Sequence, residues 1–326
     1  RTARGPGRGV TVNDAAAYPG QTFMTGFFGD GLGMRLIDMG GRTLHEWRIS
    51  FQAIWPDASH VEVPPRTDWE THIHGAVLYP NGDVVFNFQY GGLARIDRCS
   101  QVLWKLPLQS PHSIVMASAG SLWIPSRRPH QAAVPKFPGL RPPFMEEYVL
   151  QISPEGKVLR EISILDVIYG SRYEGVLSAS GSHAATPAIP PDGDFTHLND
   201  VEVLEADLAP AFPQFQAGDL LLSLRNLNLI LVVDPRVQRI KWAMTGPFVR
   251  QHDPDFLPSG RISVFDNRRD DGDGRELRGS RILEVGPQTH QRLTVYGEGE
   301  NEFFYTETLG DHQRLPNGNL LITESE

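Results

Sequence analysis

Five histidines stand at equivalent places in a repeating pattern. His74, His112, His197, His252 and His312 each open a segment that runs through a polar turn into a strand. Histidine makes up 11 of the 326 residues, so five at one repeat position is far from a random spread. Imidazole changes charge nearest neutral pH and can also attack as a nucleophile. A convergent set of rings therefore suits nucleophilic or acid–base work. The plainer alternative is that each ring bonds a loop of the next repeat, and it suits His112 and His312 best.

Arg225 strengthens the chemical reading. It closes the apolar run LLLSLR (220–225). A charge at that place is costly unless it faces a polar channel or a carboxylate. A guanidinium beside imidazoles fits a tetrahedral oxyanion such as sulfate or phosphate. An ion pair with Asp200 or Asp253 is the alternative. Metal signals are weaker. THIHG sets His72 and His74 at i and i+2 on one strand face, a spacing used in histidine metal sites, but no carboxylate pattern accompanies it. FDNRRDDGDGRE carries Asp266, Asp270, Asp271 and Asp273 without the spacing of a calcium loop, and reads as a solvated acidic turn. No metal and no organic cofactor is expected.

These side chains need a scaffold, and the repeat supplies one. Each histidine segment leads to a turn (PNG, SAG, AGD, PSG, PNG) and a strand, and most are followed by a hairpin such as ARIDRCSQVLWKL (94–106) or ILVVDPRVQRIKWAM (230–244). Four strands per unit at this spacing predict β-propeller blades. The expectation is an all-β, six-bladed β-propeller with blades at about 15–50, 74–107, 112–165, 197–246, 252–298 and 307–326, the sixth incomplete after its second strand. Residues 1–14 read as an N-terminal extension and 15–326 as one propeller domain, with a proline-rich extended loop inserted at 127–147 and a second insertion at 166–196 that starts with a short helix-like piece and ends in a small-residue loop. The edge of the sixth blade is expected to be covered by further residues or another chain, because an open edge invites aggregation.

Composition excludes other classes. The 32 glycines and 26 prolines favour turns over long helices. A net charge of −9 argues against a nucleic-acid partner bound through broad phosphate neutralisation. Cys99 is the one cysteine, so an intrachain disulfide framework and a cysteine-based zinc site are both excluded. No apolar run approaches the length of a membrane-spanning helix. The opening RTARGPGRGV does not read as a natural start, and a signal or anchor is expected outside this chain.

His197-Leu-Asn-Asp, then Ser223-Leu-Arg225, then Gln251-His252-Asp253 leading to Ser263-Val-Phe-Asp266-Asn267, together resemble the arylsulfotransferase family of six-bladed propellers. The opening LIDMGGRTLHEW and the final LPNGNLLITES are similar to it as well. The resemblance implies transfer of a sulfuryl group from a phenolic sulfate donor to a phenol acceptor through a sulfated histidine, with no cofactor. It implies His252 as nucleophile, His197 and Arg225 as holders of the sulfuryl oxygens, and His74 as the fourth member. Gly75 follows His74 where the family has an acidic residue, and His72 is the alternative there. The resemblance also implies a periplasmic or extracytoplasmic protein, membrane-anchored through a segment outside this chain or partnered by another protein. Phe137, Phe144, Tyr169, Tyr173 or Phe195 of the insertions would wall the phenol. The competing readings are a non-catalytic propeller serving as a subunit or scaffold of a larger assembly, and a metal-assisted hydrolase or lyase.

Overall fold

Each repeat turn places a glycine in the left-handed region: Gly82, Gly120, Gly218, Gly260 and Gly318 have φ between +74 and +88°. That conformation is nearly free for glycine and lets alternating apolar segments double back as hairpins. The structure is a computed structural model and describes residues 9–29, 31–180, 193–270 and 272–325. The described chain divides into two compact units, one running to His112 and including Gln313–Leu321, the other spanning Ser113–His312 and Ile322 onward.

In the first unit, β1 (Thr22–Phe28), β2 (Gly31–Ile37) and β3 (Thr43–Arg48) form a three-stranded antiparallel sheet. A short helix α1 (Phe51–Ile54) follows, then a four-stranded sheet of β4 (Ile73–Leu78), β5 (Val84–Phe88), β6 (Gly92–Ile96) and β7 (Val102–Leu106). Their core gathers Met34, Trp47, Phe51, Phe86 and Phe88.

The second unit holds three four-stranded sheets. The first is β8 (Val115–Met116), β9 (Leu122–His130), β10 (Phe144–Ile152) and β11 (Val158–Ser163). The second is β12 (Leu198–Val203), β13 (Leu220–Leu224), β14 (Leu229–Asp234) and β15 (Arg239–Thr245). The third is β16 (His252–Phe256), β17 (Ile262–Asp266), β18 (Arg281–Val285) and β19 (Arg292–Tyr296). Helix α2 (Ile164–Gly170) starts where the Ser163 hydroxyl caps the Asp166 N–H. Second strands such as LLLSL and ISVFD are wholly buried, while outermost strands such as β7 and β19 keep exposed positions. That gradient is the one expected when sheets pack face to face and leave only their outer strands in water.

The fold is all-β with propeller-type blades, and their number corrects the expectation. Among the described residues there are five sheets of three or four strands and the pair β20 (Asp311–Arg314) and β21 (Leu320–Thr323). Two strands cannot bury a face, so the pair is a hairpin and not a sixth blade. Among the described residues no helix is long and apolar enough to cross a membrane.

The insertions also differ from expectation. Residues 127–130 and 144–147 are not loop but the far ends of β9 and β10, paired residue by residue from Arg127↔Glu147 to His130↔Phe144. Pro125 and Pro129 fit because β8 pairs only with Leu122 and Trp123, so β9 is an edge strand beyond them and needs no N–H on that side. The second insertion begins with α2 as its pattern suggested; residues 181–192 of it lie outside the described residues, as do 1–8 of the N-terminal extension.

Gly193 re-enters with φ +69°, and a Cβ there would sit 2.5 Å from Phe144 Cα and 2.6 Å from the Pro143 carbonyl. Its own carbonyl accepts the Met145 N–H at 3.1 Å. Gly193 thus presses the segment 193–197 onto β10. Gly193→Ala is expected to cost about 1–3 kcal/mol of stability, measured by denaturant unfolding. A melt unchanged from the parent would contradict this placement.

Candidate active site

The motif blocks meet as one hydrogen-bond network in the second unit. Asn199 donates to the Gln251 carbonyl at 2.8 Å. Gln251, fully buried, donates to Ser223 Oγ at 3.0 Å and to the Leu229 carbonyl at 3.1 Å. HLND is therefore tied to QHD, and QHD to the strand that ends in SLR. Arg225 follows the last residue of β13, and its N–H donates to the His197 carbonyl at 3.0 Å.

His252 begins β16 and is 5% exposed. Its Nδ1 lies 2.7 Å from Asn267 Oδ1 and 3.2 Å from the Arg250 carbonyl. Asn267 has no freedom to turn round, because its Nδ2 already donates to the carbonyls of Thr306 at 2.9 Å and Leu309 at 2.8 Å. Both partners of Nδ1 are acceptors, so Nδ1 carries the hydrogen and Nε2 carries the lone pair. That Nε2 is buried and has no hydrogen-bond partner among the described residues. Burial, then the positive charge of Arg225 and the nearby His197 ring, push the imidazole down to about 3, against 6.5 for an ordinary histidine. The ring is neutral across the physiological range.

Asn267, and not the adjacent Asp253, orients this ring. Asp253 has φ +50°, which swings its side chain to His312, whose backbone N–H and Nδ1 lie 2.6 and 2.7 Å from Asp253 Oδ2. Around Asp253 the field is negative. Burial, then the Asp253 charge, pushes Glu202 up to about 8 and Asp311 up to about 7.

His197 is buried with φ +54°, and its Nδ1 bonds Asp194 three residues earlier. Non-glycine residues in this region carry strain on the order of 1–3 kcal/mol each and gather at functional sites. Burial lowers the His197 pKa despite Asp194, which works to raise it. Asp194 in turn stays below the usual carboxylate range: burial opposes ionisation, but His197, Arg127 and Arg225 outweigh it. The Arg225 charge thus acts on Asp194, a carboxylate outside the two alternatives read from the sequence. Arg127 stands 3.8 Å from Asp194. Glu147, opposite Arg127 on β10, accepts the Leu198 N–H at 2.6 Å and the Thr196 hydroxyl. Burial and the Asp194 charge push it up to about 8, so it is largely protonated at neutral pH.

His74 belongs to the first unit, where it lies 3.2 Å from His112 Nδ1, with the His72 and His74 ring centroids 5.4 Å apart. His112 is itself left-handed, at φ +67°. Of the expected acidic turn, Asp270 accepts backbone N–H groups of Gly272, Gly274, Glu276 and Leu277, whereas Asp266 is fully buried at the end of β17 and bound to Arg281 at 2.9 Å. Asp271 lies outside the described residues. The expected phenol wall is largely core instead: Phe137, Phe144 and Phe195 are at most 2% exposed and pack within one apolar cluster.

A family model of the arylsulfotransferases (ASST) matches residues 74–326. The chain belongs to the arylsulfotransferase family. No curated protein matches it significantly. The arylsulfotransferase chain is similar in fold to a Bacteroides caccae protein of unknown function, at 12% identity and a TM-score of 0.55 over 94% of this chain and 83% of that one. Weaker likenesses are a streptogramin B lyase, at 10% identity and a TM-score of 0.47 over 98% and 86%, and virginiamycin B lyase from Staphylococcus aureus, at 11% and 0.42 over 77% and 63%.

Buried, neutral His252 makes stability depend on pH. The unfolded chain takes up a proton near pH 6.5, while the folded chain refuses it until about 3. Acid in that window favours unfolding; the contribution is complete above pH 6.5 and is lost as pH falls, by up to about 1.4 kcal/mol per unit. Unfolding of the parent and of His252→Asn, compared from pH 7 to 4, should show the parent losing more stability. Parallel profiles would contradict the buried neutral ring.

Proposed function

We propose that this arylsulfotransferase family member moves a sulfuryl group between phenols through His252. The observation that supports the reading most is the His252 Nε2 atom: buried, lone-paired, without a partner among the described residues, and within the field of Arg225. An oxygen-rich anion is the species this neighbourhood favours. Arg127 and Arg225 bring two positive charges, Asp194 one negative charge, and Glu147 is mostly neutral, so the surplus is one positive charge. An aryl sulfate carries one negative charge.

In the first half-reaction the Nε2 lone pair forms the N–S bond as the S–O(aryl) bond breaks, and the phenolate leaves with the electron pair. Nδ1 keeps its hydrogen, donated to Asn267, so the sulfated ring is cationic and primed to depart. In the second half-reaction the acceptor phenol oxygen attacks sulfur, the N–S bond breaks, and the lone pair returns to Nε2. The acceptor proton passes to the released phenolate or to solvent. Arg225, with the His197–Asp194 pair beside it, offsets charge on the three sulfuryl oxygens, as a preorganised donor set does best away from water. Donor and acceptor identities, the part of His74 and an extracytoplasmic location belong to the same proposal.

Incubation with a chromogenic aryl sulfate should release the phenol faster when a second phenol is added. With donor alone, the intact chain should gain the mass of one sulfuryl group. His252→Asn should abolish both. Asn267→Ala and Arg225→Lys should each slow transfer by about 1.5–3 kcal/mol, the value of a hydrogen bond to a charged group. Transfer by His252→Asn at near parental rate, or no transfer from any phenolic sulfate by the parent, would contradict the reading.

A further inference from the structure

We propose that Asp253, Asp255 and His312 hold a divalent cation of the magnesium–manganese class. The three side chains each bring a ligand atom to within 4.8 Å of the others. Metal–oxygen bonds of about 2.1–2.3 Å span slightly less than this across an ion, so small side-chain shifts close the site. Two of the residues come from β16 and the third from β20, and Pro254 stiffens the link between the carboxylates. Both hydrogen bonds from His312 fall on Asp253 Oδ2. The other carboxylate oxygen, Oδ1, remains for an ion.

A second observation points to a ligand independently of the carboxylates. Ser263 on β17 lies directly opposite Asp255 on β16. Side chains of directly opposed residues in an antiparallel pair stand on the same face. The Ser263 hydroxyl therefore faces the cluster. It is 3% exposed, and its oxygen has no hydrogen-bond partner among the described residues. His312, also 3% exposed, has a buried Nε2 in the same condition. Orphaned buried groups of this kind cost free energy and call for an unseen partner. A hydrated cation meets the hydroxyl through the ion or through one of its waters.

The donor set narrows the choice of ion. Two carboxylates and a hydroxyl are hard oxygen donors, and one imidazole is added, a mixture that suits manganese or magnesium better than a thiolate-seeking metal. Asp200, Glu202 and Asp311 stand close enough to act electrostatically on Asp255, which adds long-range attraction for a dication. The Asp253 side chain is 20% exposed, leaving an entry path. Such an ion would sit one residue from His252 and pin the strand that presents it.

Manganese itself is the probe. Protein stripped with a chelator and titrated with Mn2+ should remove about one ion per chain from the free-ion electron paramagnetic resonance signal, and excess Mg2+ should release it. Asp255→Asn, isosteric but uncharged, should weaken binding at least tenfold, and Ser263→Ala by a smaller factor. His312→Gln serves as the second ligand variant should Asp255→Asn fail to give a parental circular dichroism spectrum. No stoichiometric binding by the parent overturns the proposal, and so does binding that both ligand variants leave unchanged.

Discussion

The contact on which the site depends is the hydrogen bond between His252 Nδ1 and Asn267 Oδ1, 2.7 Å long and wholly buried. An amide can present oxygen or nitrogen, and the wrong end would put the lone pair on Nδ1. The carbonyls of Thr306 and Leu309 remove that freedom by taking both hydrogens of the Asn267 amide. Backbone geometry thus sets a side-chain tautomer, and the tautomer decides which ring nitrogen can react. Blade packing matters chiefly through this chain: β17 ends at Asp266, one residue before Asn267, and its fully buried face keeps the amide in place.

Charge is arranged around that ring in two opposite neighbourhoods. On one side Arg127 and Arg225 meet one ionised carboxylate, Asp194, which also bonds the His197 ring, and the balance favours an anion. Around Asp253 several buried carboxyls are pushed upward by burial and by one another. The reversal happens within two consecutive residues, His252 and Asp253, and the left-handed turn at Asp253 makes it possible. A residue held at φ near +50° sends its side chain away from the direction a regular strand would give it.

Much of this was legible in the chain, because strand periodicity and repeat spacing are local signals. The blocks HLND, SLR, QHD and FDN were visible as a set, and the structure shows why: Asn199 bonds Gln251, Gln251 bonds Ser223, and Asn267 bonds His252. Arg127 and Glu147 were hidden because prolines around them suggested a loop, whereas an edge strand tolerates proline. Asp194 was hidden by its small-residue surroundings, though an Asp three positions before a histidine was a usable cue. The orienting role fell to Asn267 and not Asp253 because a single left-handed residue redirects a side chain, which alternation cannot foresee. The blade count differs for a plainer reason: the two strands read for the last repeat are present as β20 and β21, but two strands do not make a blade.

The chemistry of the site rests on His252 being a buried neutral imidazole with hydrogen on Nδ1 and a lone pair on Nε2. Nitrogen-15 spectra of histidine-labelled protein, assigned with His252→Asn and recorded from pH 7.5 to 4.5, read both properties at one residue. A proton-bearing Nδ1 and a pyridine-like Nε2 are expected, with shifts that hold through pH 5 (~1.5 units below an ordinary histidine's midpoint). A ring that protonates near pH 6.5, or one whose hydrogen sits on Nε2, would contradict it.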